Sequence, residues 1–291
     1  MENNPLVSVL MTAYNREQFI AEAIESVLAS TFTNFELIIV DDCSTDKTIE
    51  IAKKFEMIDS RVKVYKNDNN LGDYLNRNMS ASFAKGKYLK YLDADDLIYP
   101  HGLEVMVAAM EKYPNAVLGI QSNKREDVEP YPISSMPAET FMEHYLGGGS
   151  LLSGPTGTII KKEIFDSVGG FSGRRFIGDT ELWLKLASKY EIVKFQPALI
   201  WWRTHEDQEI RKEIESFEPS FSRYKLDRLY LSPEVCPLTS KNQKLAINKL
   251  NRRFLINIFK QFICQSDRIK TLNYLFEANL GVVNIFRAIF H

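Results

Sequence analysis

Over the first hundred residues, short β-rich apolar runs alternate with stretches in which apolar residues recur at helical spacing. Leu6–Met11 (LVSVLM), Phe35–Val40 (FELIIV), Val62–Tyr65 and Lys87–Leu92 (KYLKYL) read as strands. Between the first two, Phe19, Ile20, Ala23, Ile24, Val27 and Leu28 make one apolar stripe, with Asn15 as its expected cap and Gln18 at the capping-box position. Ser44 or Thr45 is the expected cap of a second helix, whose inward face is Ile49, Ala52 and Phe55. A third helix is expected around Tyr74–Ala84, and Pro100 opens a fourth through Tyr113, with Asp96 a candidate cap.

From about Gln121 to Pro155 the pattern weakens. Prolines at 130, 132 and 137 and the run Gly147–Gly149 predict a loop-rich excursion with one short helix near Ala138–Leu146. Order returns with a strand at Thr156–Lys161 and a short helix ending at Gly169-Gly170-Phe171. A helix over Asp179–Lys189 and strands at Ile192–Phe195 and Leu199–Trp202 follow. After Ser220 the spacing is helical, as in Leu250, Phe254 and Ile258.

Strands joined by crossover helices predict an α/β fold with a mostly parallel sheet covered on both faces. Ligands of such sheets bind beyond the carboxyl ends of the strands. Three strand ends carry polar clusters here, at Thr12–Arg16, Asp41-Asp42 and Asp93–Asp96, so they converge on one rim.

Composition narrows the class. A chain of 291 residues, 45% hydrophobic and 25% charged, can bury a large core without disulfides. Its three cysteines, Cys43, Cys236 and Cys264, fit no zinc or redox spacing, and a reducing cytoplasm is the expected setting. MENNPLVSV lacks a basic segment followed by an apolar run, so no signal peptide is expected, and no run of 18 apolar residues predicts a spanning helix. The net charge of −2 gives no reason to expect nucleic acid as a partner. It hides an asymmetry, because from Ser220 onward twelve Lys/Arg face four Asp/Glu, leaving that part at +8 and the rest at −10.

Asp93-Ala94-Asp95-Asp96 packs carboxylates into one turn, a hard-oxygen donor set suited to Mg²⁺ or Mn²⁺. Asp41 and Asp42 add acceptors beside a helix start. Thr12-Ala13-Tyr14-Asn15-Arg16 offers a backbone turn with an aromatic ring for stacking on a base.

TAYNR, VDDCSTDKT, NNLGDYLNRN, GKYLKYLDADD and GDTELWLKLA, in this order and spacing, resemble the family 2 glycosyltransferases, which have the GT-A fold. The resemblance covers roughly residues 5–210. It implies a Rossmann-like GT-A catalytic domain at 1–215 and a helical extension at 216–291. By this resemblance Thr12, Tyr14 and Asp41 hold the nucleoside with Asp42 close by, Ala13, Asn15 and Arg16 complete that turn, and Asn70, Gly72, Asn76 and Arg77 line the floor. Asp93 and Ala94 adjoin ribose or sugar, and Asp95 ligates a divalent metal, Mn²⁺ or Mg²⁺. Asp179 matches the catalytic base, although Gly178 stands where the family usually has a first acid. Arg203 and His205 match the late motif that closes over the diphosphate, with His205 a further metal ligand.

The implied reaction moves a sugar from a nucleoside-diphosphate sugar, UDP-linked by family habit, to an acceptor hydroxyl with inversion. A glycan or lipid-linked glycan in bacterial cell-surface polysaccharide synthesis is the implied acceptor, at the inner face of the cytoplasmic membrane. Two other classes remain open at this level: a nucleotide-sugar-binding module without catalysis, and a sugar nucleotidyltransferase. The latter usually has a Gly-rich basic loop after its first strand, which TAYNREQ does not provide. The basic C-terminal helices are compatible with a packed helical subdomain, a homodimer interface or peripheral membrane contact.

Overall fold

The computed structural model describes residues 4–124, 127, 129–205, 217–264 and 268–278. The chain divides into two compact units, one of Met1–Met136 and Leu151–Thr204, the other of Pro137–Ser150 and His205–His291. The segment Pro137–Ser150, expected within the first domain, therefore belongs to the second unit, and the expected boundary at 215/216 lies outside the described residues.

In the first unit, β1 (Val7–Ala13), β2 (Phe35–Asp41), β3 (Val62–Lys66) and β4 (Tyr88–Tyr91) form the parallel half of an eight-stranded sheet of order β3-β2-β1-β4-β8-β6-β9-β7. The rest comprises β6 (Leu118–Gln121), β7 (Ile133–Ser135), β8 (Thr158–Lys161) and β9 (Ile192–Phe195). Here the sheet is mixed, because β8 runs antiparallel to both β4 and β6, and β7 antiparallel to β9. A separate two-stranded ribbon pairs β5 (Leu97–Ile98) with β10 (Ile200–Trp201). The near-continuous burial of VSVLMTA and FELIIVD follows from helices on both faces. On them pack α1 (Ile20–Leu28), α2 (Thr48–Ile58), α3 (Asp73–Ser82), α4 (Gly102–Lys112), α6 (Lys162–Ser167) and α7 (Gly178–Ala187). Ile20, Ala23, Ile24 and Val27 of α1 are buried, as their spacing predicts.

The predicted caps are replaced by tertiary contacts. Helix α1 starts at Ile20, five residues beyond Asn15, and has no side-chain cap. Asn15 sits at φ 51 and its Oδ1 accepts from the Thr45 amide at 2.9 Å, so it ties the β1 turn to the β2 turn. Ser44 Oγ accepts from the Asn15 amide at 2.9 Å, and Asp46 is the residue that accepts from the Thr48 amide, also at 2.9 Å. Asp96 accepts from the Arg203 amide at 3.1 Å and caps nothing in α4. β6, which lies between the fourth helix and the excursion, was not expected, and β7 was hidden in the excursion after Gln121, where it is only three residues long.

The second unit contains α5 (Pro137–Leu146), α8 (Glu218–Tyr230), α9 (Ser240–Cys264) and α10 (Arg268–Glu277). Its core is aromatic: Phe254 stacks on Tyr224 at 3.9 Å, with Phe217 and Phe221 around it. Leu250, Phe254 and Ile258 are all buried, and Lys249 donates to the Leu146 carbonyl at the end of α5 at 2.9 Å. No helix among the described residues is long and apolar enough to cross a membrane.

Candidate active site

The site begins where β1 and β2 end side by side, with Ala13 paired to Asp41. The turn after β1 is held from several directions. Arg16 donates its amide to Thr48 Oγ1 at 2.7 Å, and its Nε to Asp95 Oδ2 at 2.9 Å. Tyr14 projects from this turn with 46% of its surface exposed, free to offer a ring face. Thr12 lies two residues earlier, half-buried and paired with Val40.

Asp41 and Asp42 look equivalent in sequence but have opposite environments. Asp42 is saturated: Oδ1 accepts from the Leu71 amide at 2.9 Å and Asn67 Nδ2 at 2.7 Å, and Oδ2 accepts from the Gly72 amide at 2.9 Å. Its carbonyl takes Asn70 Nδ2 at 3.1 Å. Asp42 thus builds the loop before α3 instead of facing a ligand. The loop's turn needs Gly72, whose φ of 82 suits glycine. Asn76, 2% exposed, bonds the Val40 carbonyl and Asn67, so it too is a supporting residue and not part of an open floor. Asp41 is buried at 1% exposure and accepts from the Ser44 amide through Oδ2, yet its Oδ1 has no hydrogen-bond partner among the described residues. A buried acceptor left open in this way is a socket for a donor group.

Beyond β4, one oxygen each from Asp93, Asp95 and Asp96 lies within 4.8 Å of the others. Burial, then the charges of Asp93 and Asp95, push Asp96 up to about 8. Burial acts upward on Asp93 as well, but the Arg77 guanidinium at 2.7 Å, with Thr156 and Lys90, holds it below the usual carboxylate range. Arg203 straps the turn from outside: its amide reaches Asp96, its Nε reaches the Asp95 carbonyl at 2.9 Å, and its NH2 reaches Glu22 at 2.5 Å. The guanidinium also lies over the Phe19 and Trp201 rings. Crowded acidic oxygens that hold one proton high on the scale form a hard donor set, and a divalent cation would relieve their repulsion. Ala94, 2% exposed, packs below the turn. His205 falls in the second compact unit.

The opposite wall is α3 with the start of α7. Arg77, buried at 5% exposure, bridges Asp73 at 2.9 Å and Asp93 at 2.7 Å. Asp73 is pushed up by desolvation and by the charges of Asp93 and Asp179, against the pull of Arg77. Half of its side chain is open to water, so the neighbouring carboxylates act on it more than desolvation does. These couplings bring Asp179, half-buried in the first turn of α7, to the acidic side of the site. Gly178 has a steric reason: a Cβ there would lie 2.8–3.0 Å from the Tyr74 ring. Tyr74 fills the space that a first acid would need. Glu181, two residues on, is held instead by Ser172 and by Arg174 at 3.3 Å.

The family model described as "Glycosyl transferase family 2" matches residues 8–169, more than half of the chain. The chain is a family 2 glycosyltransferase. A full-length relative, the glycosyltransferase GlyG of Streptococcus pneumoniae, is 30% identical over 273 residues, covering 88% of this chain and 87% of that one. The fold is shared with S. aureus TarS (residues 1–349, in complex with UDP) at a TM-score of 0.70 and 20% identity, over 94% of this chain and 80% of that one. It is also shared with the mannosyltransferase PcManGT of Pyrobaculum calidifontis, in complex with GDP-Man and Mn²⁺, at a TM-score of 0.66 and 14% identity, over 99% and 84%.

Four site residues of the transferase lay outside the sequence expectations: Asp73, Tyr74, Lys90 and Thr156. The i,i+4 spacing of Asp73 and Arg77 signals their pairing, and Tyr74 stood in a recognised motif without a role. Lys90 is fully buried under the acidic turn, where its Nζ donates to the Tyr91 and Thr156 carbonyls and burial brings it down to about 7. Nothing local in KYLKYL reveals that a lysine there is covered on both faces, and Thr156, whose Oγ1 accepts from the Asp93 amide at 3.3 Å, is 63 residues away in sequence.

Proposed function

We propose that this transferase moves a sugar from a nucleoside-diphosphate sugar, UDP-linked, to an acceptor hydroxyl with inversion at the anomeric carbon. The observation that carries the donor side is the pairing of two features on one rim: the open buried oxygen of Asp41 and the Asp93/Asp95/Asp96 oxygen cluster. Asp41 Oδ1 would accept from a base N–H while Tyr14 stacks beside it. TarS and PcManGT, which share the fold, are described with UDP and with GDP-Man plus Mn²⁺, which favours a donor of this class.

Asp95, with Asp93 and Asp96, would hold Mn²⁺ or Mg²⁺, which when bound supplies positive charge against the diphosphate leaving group. Asp179 would take the proton of the acceptor hydroxyl as general base. Its half-buried place in the first turn of α7, within electrostatic reach of Asp73 on the acidic side of the site, favours this. Direct displacement needs no covalent intermediate, so Cys43 has no chemical duty. Arg77 holds Asp93 and Asp73 apart from each other's charge, and Arg16 orients Asp95. The proposed acceptor class is a bacterial cell-surface glycan, with the reaction at the cytoplasmic side.

The test is calorimetry with nucleoside diphosphates with and without Mn²⁺, joined to turnover with a glycan acceptor and product analysis by NMR. The reading expects metal-dependent binding of one nucleotide, lost in Asp95→Ala, and an inverted anomer as product. It expects Asp179→Asn to bind donor normally but turn over about 10²–10⁴-fold more slowly. Retained turnover in Asp179→Asn would remove the base from Asp179. Binding without any transfer by the wild type would leave a nucleotide-sugar-binding module.

A further inference from the structure

Helix α9 carries no acidic residue over its 25 positions, in a chain that is acidic overall. Its inward side is fixed by Ala246, Leu250, Phe254, Leu255 and Ile258, all buried. The outward ridge follows from the same 3.6-residue period: Lys241, Leu245, Asn248, Arg252, Ile256 and Phe259 succeed one another along it, and all are exposed. Lys244, Arg253 and Lys260 flank the ridge and are exposed as well. Leu245, Ile256 and Phe259 show 48%, 45% and 47% of their surface, large apolar side chains set among cations with no anion to pair them on the helix.

We infer that this face of α9 docks on an anionic lipid bilayer, lying in the plane of the headgroups. Charge complementarity selects the partner. A solvated helix face would interleave both signs in i,i+4 pairs, whereas here every charge along ~38 Å of helix is positive. Leu245, Ile256 and Phe259 are placed to enter the headgroup–acyl boundary while the longer Lys and Arg stems reach the phosphates. The helix is too polar to cross a bilayer and suited to lie on one. The inference does not depend on the donor chemistry proposed above.

The test uses the full chain in flotation with vesicles of phosphatidylcholine alone and with 30% phosphatidylglycerol. The expected result is association with the anionic vesicles only, weakened by salt because surface attraction fades beyond a Debye length. Each removed cation should weaken partitioning about 5-fold, so Arg252→Gln/Arg253→Gln/Lys260→Gln should bind on the order of 100-fold less. Ile256→Ser/Phe259→Ser should also bind less, with unchanged circular dichroism. The control Lys53→Gln/Lys54→Gln, exposed cations on α2, should bind as wild type. Equal recovery with neutral and anionic vesicles, or wild-type binding by the triple variant, would overturn the inference. So would a concentration-dependent dimer that Ile256→Ser/Phe259→Ser abolishes, since the face would then belong to a second copy.

Discussion

Asp42→Asn changes almost no volume, yet the structure makes it a severe substitution. The carboxylate accepts from Leu71 N, Asn67 Nδ2 and Gly72 N, and is 3% exposed. An asparagine keeps only one accepting oxygen. Turned one way, its NH₂ faces the Gly72 amide; turned the other, it faces the Leu71 amide and Asn67. One or two donors are stranded in either case. A hydrogen bond to a charged group contributes roughly 1.5–3 kcal/mol net, and the remaining bonds lose their charge assistance. The expected loss is roughly 3 kcal/mol for the first unit. For a unit of this size that corresponds to about 6–12 °C in the unfolding midpoint. Scanning calorimetry without nucleotide or metal reads it directly. A midpoint within about 2 °C of wild type would refute the assignment of Asp42 as the support of the Leu71–Gly72 loop.

Asp41→Asn should show the reverse pattern. Its carboxylate holds one protein donor, so the midpoint falls by only a few degrees, while calorimetric affinity for the nucleotide drops at least 10-fold; normal affinity would reject the socket at Oδ1. Asp96 sets a pH dependence in metal-free buffer. Its proton is held up to about 8 against an ordinary 3.8, so the folded chain binds it more tightly than the unfolded chain. The stability it contributes is complete below the ordinary value and is lost as pH rises toward 8, so the midpoint should fall between about pH 5 and about pH 7. Asp96→Asn should have a flatter slope in the same chelator-containing buffer, and an identical slope would exclude Asp96 as its source. Gly178→Ala places a Cβ 2.8 Å from the Tyr74 ring, an overpacking cost of about 1–3 kcal/mol; Tyr74→Ala/Gly178→Ala should cost less than the two single changes added, measured by a double-mutant cycle in urea.

The parallel half of the sheet was legible because buried strands and amphipathic helices announce themselves by period. The rim was legible because Thr12–Arg16, Asp41-Asp42 and Asp93–Asp96 each follow a buried run. What failed was local reading of polar residues. Asn15, Ser44 and Asp96 have the chemistry of helix caps, but each found a partner 29 or more residues away. Capping preference is a competition among nearby donors, and a converging rim supplies better ones. The split between Asp41 and Asp42 was equally invisible, since alternate residues at a strand end point to opposite faces and only the fold fixes which face meets the Leu71–Gly72 loop. β7 escaped because three residues carry no period to detect.

The charge pattern of the rim gives an independent reason to expect a divalent cation. Asp73, Asp93, Asp95, Asp96 and Asp179 line it, and among the described residues Arg16, Arg77, Arg203 and the buried Lys90 are cations within its reach. Each of these is already engaged with the protein's own carboxylates or carbonyls. A diphosphate arriving without a counter-ion would meet an excess of negative charge and would have to break those pairs to gain a partner, at several kcal/mol for a buried one such as Arg77–Asp93. Arriving with a cation, it would leave them intact and discharge the repulsion that holds the Asp96 proton. Donor binding and metal binding should therefore be mutually reinforcing. The nucleotide should raise the affinity for Mn²⁺ by the same factor that Mn²⁺ raises the affinity for the nucleotide.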